Sequence, residues 1–470
     1  MENVQLENNN NLNKINIVSD NNLHIKNQSN ENIFSEKSSS ENVSDENSSC
    51  ESVSDENSSC ENSASETESD VTVSSSSSSN HEEENTNFMG DILNSRYLIL
   101  NKIGGGAFSS VWLSYDLKIE QFFIIKIQFS EDYEDGIFEG KVLSKSKHPN
   151  IIKLHEKFTI SDNRVCLVLE VLGESLCSLL DHKYDKGLPI NIIKKICKQL
   201  LSATNYLHTE KNIVHTDIKV ENILLQKPSP RIEKMKKDFL DSPLLKRFKE
   251  ISTLKFANLP SNRNRRNKAI KKKKEQLLNT YKTYVCKTLS DNKYTISDSI
   301  KISLDDCDIK LADMGTCLEL DDLFSDELQT EYYRAPEIIL GKKYNEKIDI
   351  WSIGCVIVEL ITGNLLFDPK KSKHFSRCKN HLLDIIELCG DFDSKYLQKC
   401  KYRNKFFDKY NNFINVPKLE YTSIYNHLIE NNKDTNESKL ISDFLTNFFK
   451  YNINERCSAN RALQHVWLEH

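Results

Sequence analysis

The eight residues from His215 to Asn222, together with Asp313-Met314-Gly315, constrain this chain more than any other stretch. Asp217 is followed two positions on by Lys219 and three further by Asn222. A carboxylate, an ammonium and a carboxamide at this spacing suit phosphoryl transfer to a hydroxyl. The carboxylate accepts the hydroxyl proton, the ammonium neutralises charge on the phosphate, and Asn222 shares Mg²⁺ with Asp313. Either motif alone fits a buried loop with satisfied polar groups. Both in order argue for a catalytic loop and a metal-binding loop that face a common point.

Upstream, the texture after Arg96 alternates in the manner of strands: Tyr97 to Leu100, Val111 to Tyr115, and Phe122 to Lys126. Between the first two lies Ile103-Gly104-Gly105-Gly106-Ala107-Phe108-Ser109-Ser110-Val111. Glycines there let a hairpin backbone lie close over phosphates, with Val111 covering an adenine. No Gly-Lys-Ser/Thr follows, which excludes a Walker loop, and Ser109 stands where a dinucleotide fold needs its third glycine. Lys126 ends an apolar strand that has little other use for a buried cation, and is assigned to the α/β-phosphates. Its expected partner is Glu139, whose helical offset to Val142 and Leu143 aims it inward; Glu131, Glu134 and Asp135 are read as solvated-face charges.

Downstream, Val165 to Gly173 reads as a buried strand and a hinge, with Glu170 and Leu172 as the adenine-contacting positions. Ile190 to His208 has amphipathic helical spacing and delivers the chain to the catalytic loop. Glu221 is placed to attract a basic residue of a substrate. Arg334-Ala335-Pro336-Glu337 closes the activation segment, and Asp349 opens an apolar helix through Leu360. Glu337 needs a buried cation, for which Arg456 is the candidate.

Residues 1–94 hold nineteen acidic against three basic residues and hardly any large apolar ones. Such a segment cannot bury enough surface to offset its ordering entropy and is expected to be a disordered acidic tail. The unit running from Ser44 to Glu51 recurs from Ser54 to Glu61, too polar for a solenoid, and Ser74 to Ser79 offer phosphoacceptors. The thirteen cysteines are odd in number and lack Cys-x-x-Cys spacing, the pattern of reduced thiols in an intracellular protein, cytoplasmic or nuclear. The start has no secretory pattern, and the longest apolar run, Ile350 to Leu366, includes Glu359, so no membrane association is expected.

Over roughly residues 90–470 the chain resembles the SR-protein kinases, a branch of the CMGC serine/threonine protein kinases. The resemblance rests on Thr216 within His-Thr-Asp-Ile-Lys, where most kinases carry arginine. It is supported by Gly90 to Tyr97, Phe108 to Ser114, Glu170 to Gly173 and Leu311 to Gly315. It implies an α+β, bilobal protein-kinase fold over 97–468, with a small mostly β lobe and a large mostly α lobe. It also implies ATP and Mg²⁺ as cofactors, Lys219 on the γ-phosphate, serines of Arg/Ser-rich proteins as substrates, and a monomer. Since Thr216 cannot anchor a phosphate, activity is expected not to depend on activation-segment phosphorylation. Cdc2-like kinases share the threonine but not the long spacer, here 227–303.

Three features depart from the family. Val220 replaces proline, and Glu331 with Tyr332 replaces Arg and Gln before Arg334, itself a candidate substrate contact. Lys379 falls where the family's docking groove is acidic, while Glu387 keeps one acid. The activation segment still offers Asp321, Asp322, Asp326, Glu327 and Glu331 for attraction of arginine. The spacer is expected to be a disordered basic loop, removable without loss of catalysis; Arg263 to Lys274 packs eight basic residues into twelve. It reads as a nuclear-localisation signal or an electrostatic patch, with no specific nucleic-acid module. The rival readings are a pseudokinase scaffold, a kinase with a different substrate, and a regulator acting through RNA.

Overall fold

The computed structural model describes residues 86–290, 294, 307–321, 328–370, 375–414, 418–431 and 435–469. The chain divides into two units, 83–251 with 271–470, and 252–270 with 1–82. The tail up to residue 85 lies outside the described residues. So do Asp322, Asp326 and Glu327 of the activation segment and most of 291–306 of the spacer.

In the larger unit, an antiparallel sheet has the order β1-β2-β3-β4-β6-β5. Its strands are β1 (Ile92–Leu93), β2 (Tyr97–Gly105), β3 (Ser109–Asp116), β4 (Gln121–Gln128), β5 (Leu154–Ile160) and β6 (Arg164–Leu169). Side chains alternate between faces. Tyr97, Ile99, Trp112, Phe123 and Ile125 fill one face, and Leu98, Leu100, Leu113, Ile124 and Leu167 join the main core on the other. Helix α1 (Tyr133–Lys145) follows β4 and buries Glu139, Val142 and Leu143. Phe88, on the polar side of the compositional boundary at residue 94, packs edge-on against Trp112 at 5.9 Å, and β1 pairs with β2. A few apolar residues at the end of a polar run suffice when a sheet face waits for them.

The second lobe is helical. Helix α2 (Ile190–Tyr206) buries one stripe, as its spacing predicts. Two small antiparallel pairs then bring distant loops together: β7 (Ile213–Val214) with β10 (Leu318–Glu319), and β8 (Ile223–Leu225) with β9 (Ile309–Leu311). The register Ile223↔Leu311, with Ala312 N–H donating to the Asn222 carbonyl at 2.9 Å, sets the catalytic loop beside Asp313.

The spacer departs from the expected disordered loop, because its described residues are largely helical: α3 (Pro230–Asp241), α4 (Leu244–Thr253) and α5 (Arg263–Ser290). Helix α3 starts with a Ser229 side-chain cap and Pro230 in its first turn. It buries Ile232, Met235 and Phe239, an i, i+3, i+7 stripe, and Phe239 lies 5.0 Å from Tyr115 of β3 and 5.8 Å from Phe122 of β4. In α5, Tyr281, Val285 and Leu289 repeat every fourth residue and are buried. Lys282 pairs with Asp91 at 2.6 Å, and the Tyr281 hydroxyl donates to the Leu244 carbonyl. The helical period was present but diluted among lysines, whose charges dominate any composition average. Within 252–270, Asn262 accepts from the Asn264 and Arg265 amides and opens α5, whose first turns carry the exposed basic run.

The core of the second lobe is α6 (Ile348–Thr362), buried on all sides. Helix α7 (Arg377–Cys389) and the short α8 (Ser394–Leu397) follow. Every cysteine among the described residues is a free thiol. Among those residues no helix is long and apolar enough to cross a membrane.

Candidate active site

The glycine-rich hairpin joins β2 to β3, closed by a Gly106 N–H bond to the Ser109 carbonyl at 2.9 Å. A Cβ on Gly105 would meet that carbonyl at 3.1 Å, so a side chain there would push the hairpin backbone aside by a few tenths of an ångström. Ile103 and Val111 are half-buried beside the core, Ala107 and Phe108 stand exposed at the tip, and Gly104 leads in. Ser109 is buried and Ser110 accepts from the Trp112 indole, so the Ser110 hydroxyl is spent within the sheet.

Lys126 pairs across the ladder with Val111 and Leu167. Its ammonium meets Glu139 at 2.8 Å and Asp313 at 2.7 Å. Gln128 donates a further bond to Glu139 at 2.9 Å. Burial works against the charge on Lys126, but Glu139 and Asp313 outweigh it and hold its pKa above the ordinary value. Burial likewise opposes the charge on Asp313; Lys126 first, then His215 and Lys219, hold that carboxyl below its usual range. Of the four acids weighed as partners for Lys126, Glu139 is the one in contact.

At the expected hinge, the Glu170 side chain is tied to Lys310 at 2.7 Å and to the Lys153 amide, and the Glu170 amide donates to the Lys153 carbonyl at 3.2 Å. Leu172 is buried beside it. A Cβ on Gly173 would meet the Lys227 carbonyl at 2.2 Å, so glycine is required where the spacer begins. Arg231 of α3 then bonds Glu174 at 3.1 Å and the Ile103 carbonyl at 3.4 Å, joining hinge, spacer and glycine-rich strand.

In the catalytic loop, Asp217 accepts from Lys219 at 2.7 Å and from the Asn222 amide at 3.1 Å. The Thr330 hydroxyl donates to Asp217 at 2.6 Å and accepts from Lys219 at 2.9 Å. The loop is hung from Asp349 at the start of α6. One carboxylate oxygen accepts the His215 amide and His208 Nε2, both at 2.8 Å, and the other accepts the Thr216 amide at 2.9 Å. This holds Thr216 at φ +68°, a rare conformation for a β-branched residue. Below it, Glu337 and Arg456 form a fully buried bidentate pair at 2.6 and 2.9 Å.

Sequence reasoning did not single out Thr330, Gln329 or Glu359. Gln329 is buried and ties the activation segment to Ser352 and to the Ala335 amide. Glu359 accepts from the Tyr333 hydroxyl at 2.7 Å, and its carboxyl is pushed up to about 7 by burial and by the charges of Glu221 and Asp181. Among the described residues no cation pairs with it. The sequence signal for Glu359 was weak: a lone acid inside the apolar run from Ile350 to Leu366.

Of the three expected substrate residues, Glu221 is exposed at this acidic spot. Arg334 instead braces the activation segment, donating to the Leu328 and Gln329 carbonyls. Glu387 accepts the Glu420 amide at 2.9 Å on α7. Near it, Asp384 is pushed up to about 6 by burial, Glu387 and Asp368, while Lys379 rests on the Phe375 ring at 4.5 Å. A cleft of about 810 Å³ opens in front of Asp217 and Lys219, with Glu134 and Asp135 of α1 on its wall. Both acids are exposed, as the sequence reading expected, and they line the approach to the catalytic loop.

A sheet lobe carrying a lysine–glutamate pair and a helical lobe carrying this loop are the architecture of a protein kinase, and the chain matches the protein kinase domain family over 97–239 and 262–468. It is 30% identical to a serine/threonine-protein kinase SRPK of Physarum polycephalum, over 81% of this chain and 87% of that protein. It is 28% identical to SRSF protein kinase 3 of Mus musculus over the same shares, and 27% identical to protein kinase dsk1 of Schizosaccharomyces pombe over 79% and 80%. The chain belongs to the protein kinase family, within its SR-protein kinase branch, and is a serine/threonine protein kinase.

Proposed function

We propose that the chain transfers the ATP γ-phosphate to serines flanked by arginine, with Asp217 as proton acceptor. As the serine oxygen forms its bond to phosphorus and the bond to the ADP oxygen breaks, the hydroxyl proton passes to Asp217. Lys219, fixed between Asp217 and Thr330, neutralises charge gathering on the transferred group. Lys126, oriented by Glu139, holds the α/β-phosphates; the Ile103–Val111 hairpin covers them, and the Glu170 and Leu172 backbone receives the adenine.

Protein kinases use Mg²⁺, and the donor set here suits it. The Asn222 amide nitrogen is spent on Asp217, which leaves its side-chain oxygen, with the Asp313 carboxylate, to serve as hard oxygen ligands. When bound, the ion neutralises phosphate charge. A pseudokinase would not need Lys126, Asp217, Asn222 and Asp313 together.

The substrate class follows the relatives named as SRSF protein kinases, and one observation supports it here: among the described residues no cation pairs with the buried acid Glu359. An incoming guanidinium would meet Glu359, Glu221 and Asp181 together, with Glu134 and Asp135 along the cleft. Lys379 opposes arginine on the expected docking surface, so repeat phosphorylation should be less processive than such a groove would allow. A panel of Arg-Ser repeats, Ser-Pro peptides and acidic serine peptides tests this. Preference for the Arg-flanked serines, declining with salt, is the expected result; preference for either other class rejects it. The exposed basic turns of α5 are proposed as a nuclear-localisation signal, tested by mutating Lys271 to Lys274 in a reporter-tagged chain.

A further inference from the structure

The first turns of α5 carry a basic run that phosphoryl transfer does not use. Arg265, Arg266, Lys268, Lys271, Lys272 and Lys274 are all exposed. Elsewhere in the spacer, lysines find carboxylates: Lys236 with Glu233, Lys249 with Glu120, and Lys282 with Asp91. None of the six has a carboxylate partner among the described residues. No acid interrupts the run, and Glu275 only follows it. Lys268 has Lys271 and Lys272 as its i+3 and i+4 neighbours, and Lys271 has Lys274, so like charges crowd one another on the helix surface until an anion covers them.

The acidic tail joins the body of the protein at this same helix. Asp91 pairs with Lys282 at 2.6 Å, and the Cys286 thiol donates to the Met89 carbonyl at 3.2 Å. Between them Gly90, at φ +81°, lies so close that a Cβ on it would meet the Lys282 carbonyl at 2.9 Å. From Glu41 to Asp70 the tail holds ten carboxylates and neither lysine nor arginine. Lys274 is twelve residues from Cys286, about 18 Å along the helix axis. Asp70 is nineteen residues from Met89, a length of chain that reaches up to ~65 Å. The tether therefore spans the gap with length to spare.

We propose that residues 41–70 dock on the basic turns of α5 within the same molecule. A single exposed ion pair is weak. The docking rests instead on the number of pairs and on the tether, which makes every contact after the first intramolecular and keeps the local concentration of carboxylates high. A docked tail withholds from other anions, and from an import receptor, the turns proposed above as a localisation signal. The docking itself depends on charge and tether and not on that reading.

The full chain is treated with a water-soluble carbodiimide, which joins carboxylates to lysines in contact, and the links are mapped by peptide mass spectrometry. Links from residues 41–70 to Lys268, Lys271, Lys272 and Lys274 are expected. They should be unchanged on roughly tenfold dilution of the protein and several-fold fewer at high salt. A fluorescent single-stranded oligonucleotide then serves as a competing polyanion. Deleting residues 41–70 should tighten its binding roughly tenfold or more, and adding Lys271→Gln/Lys272→Gln/Lys274→Gln to the deletion should remove that gain. Absence of the links overturns the proposal, as do links that disappear on dilution or that spread evenly over the exposed lysines. An oligonucleotide that binds the full chain as tightly as the deletion also overturns it, in favour of a surface left open to nucleic acid. Peptide turnover and localisation are separate readouts, so failure here leaves the catalytic and import readings standing.

Discussion

The Thr216 hydroxyl donates to the Thr316 carbonyl at 2.7 Å, tying the catalytic loop to the start of the activation segment. Where many kinases place an arginine to receive a phosphate on that segment, this chain uses a neutral bond from a side-chain hydroxyl to a backbone carbonyl. The segment is further held by Gln329 and Arg334. Phosphatase treatment of bacterially expressed enzyme should therefore leave the peptide phosphorylation rate unchanged. A collapse of that rate would show that a phosphate is needed after all.

Asp217→Asn should lower turnover by ~10²–10⁴-fold, the usual worth of general-base assistance, while nucleotide affinity is kept. Its contacts are with Lys219, Asn222 and Thr330, none of which belongs to the Lys126–Glu139 pair proposed to serve the nucleotide. Measuring kcat beside nucleotide Kd separates the two effects. A variant that lost nucleotide binding in proportion to turnover would place Asp217 in the wrong role.

Phe239→Ala should destabilise the protein by about 3–5 kcal/mol, the range for emptying a buried aromatic site. Phe239 is fully buried against Tyr115 and Phe122. Deleting 230–300 should accordingly cost soluble folded protein, contrary to the expectation of a dispensable loop. Chemical denaturation of the point variant and expression of the deletion measure this; a freely soluble, active deletion would mean that α3 adds little.

Glu359→Gln should trade substrate affinity for stability. With its folded pKa raised to about 7 from 4.5, the carboxyl keeps a proton in the folded chain that the unfolded chain releases between those values. Stability therefore falls as pH rises through that window and stays lower above it. The amide removes the penalty, so the variant should be more stable at pH 8, by on the order of 2–3 kcal/mol, and unchanged below pH 4. KM for an Arg-flanked peptide should rise while that for a neutral peptide does not. Denaturation at both pH values and the two KM measurements decide it.

Local chemistry was legible in the sequence because phosphoryl transfer needs fixed residue types at short spacings. Asp217, Lys219 and Asn222 lie within one turn of chain, and period-two and period-3.6 runs marked the strands and helices around them. Asp313 and Glu139 could be named because each sits in its own local pattern. What the tertiary structure decided is whatever depends on residues far apart in the chain. Only packing shows that Asp349 holds the strained Thr216, that Thr330 completes the contacts of Asp217, and that Arg334 binds its own segment. The spacer makes the same point: Ile232, Met235 and Phe239 have a helical period, but a stripe that short among lysines acquires its meaning from the sheet it covers. Burial is a property of two surfaces meeting, and a sequence displays only one of them at a time.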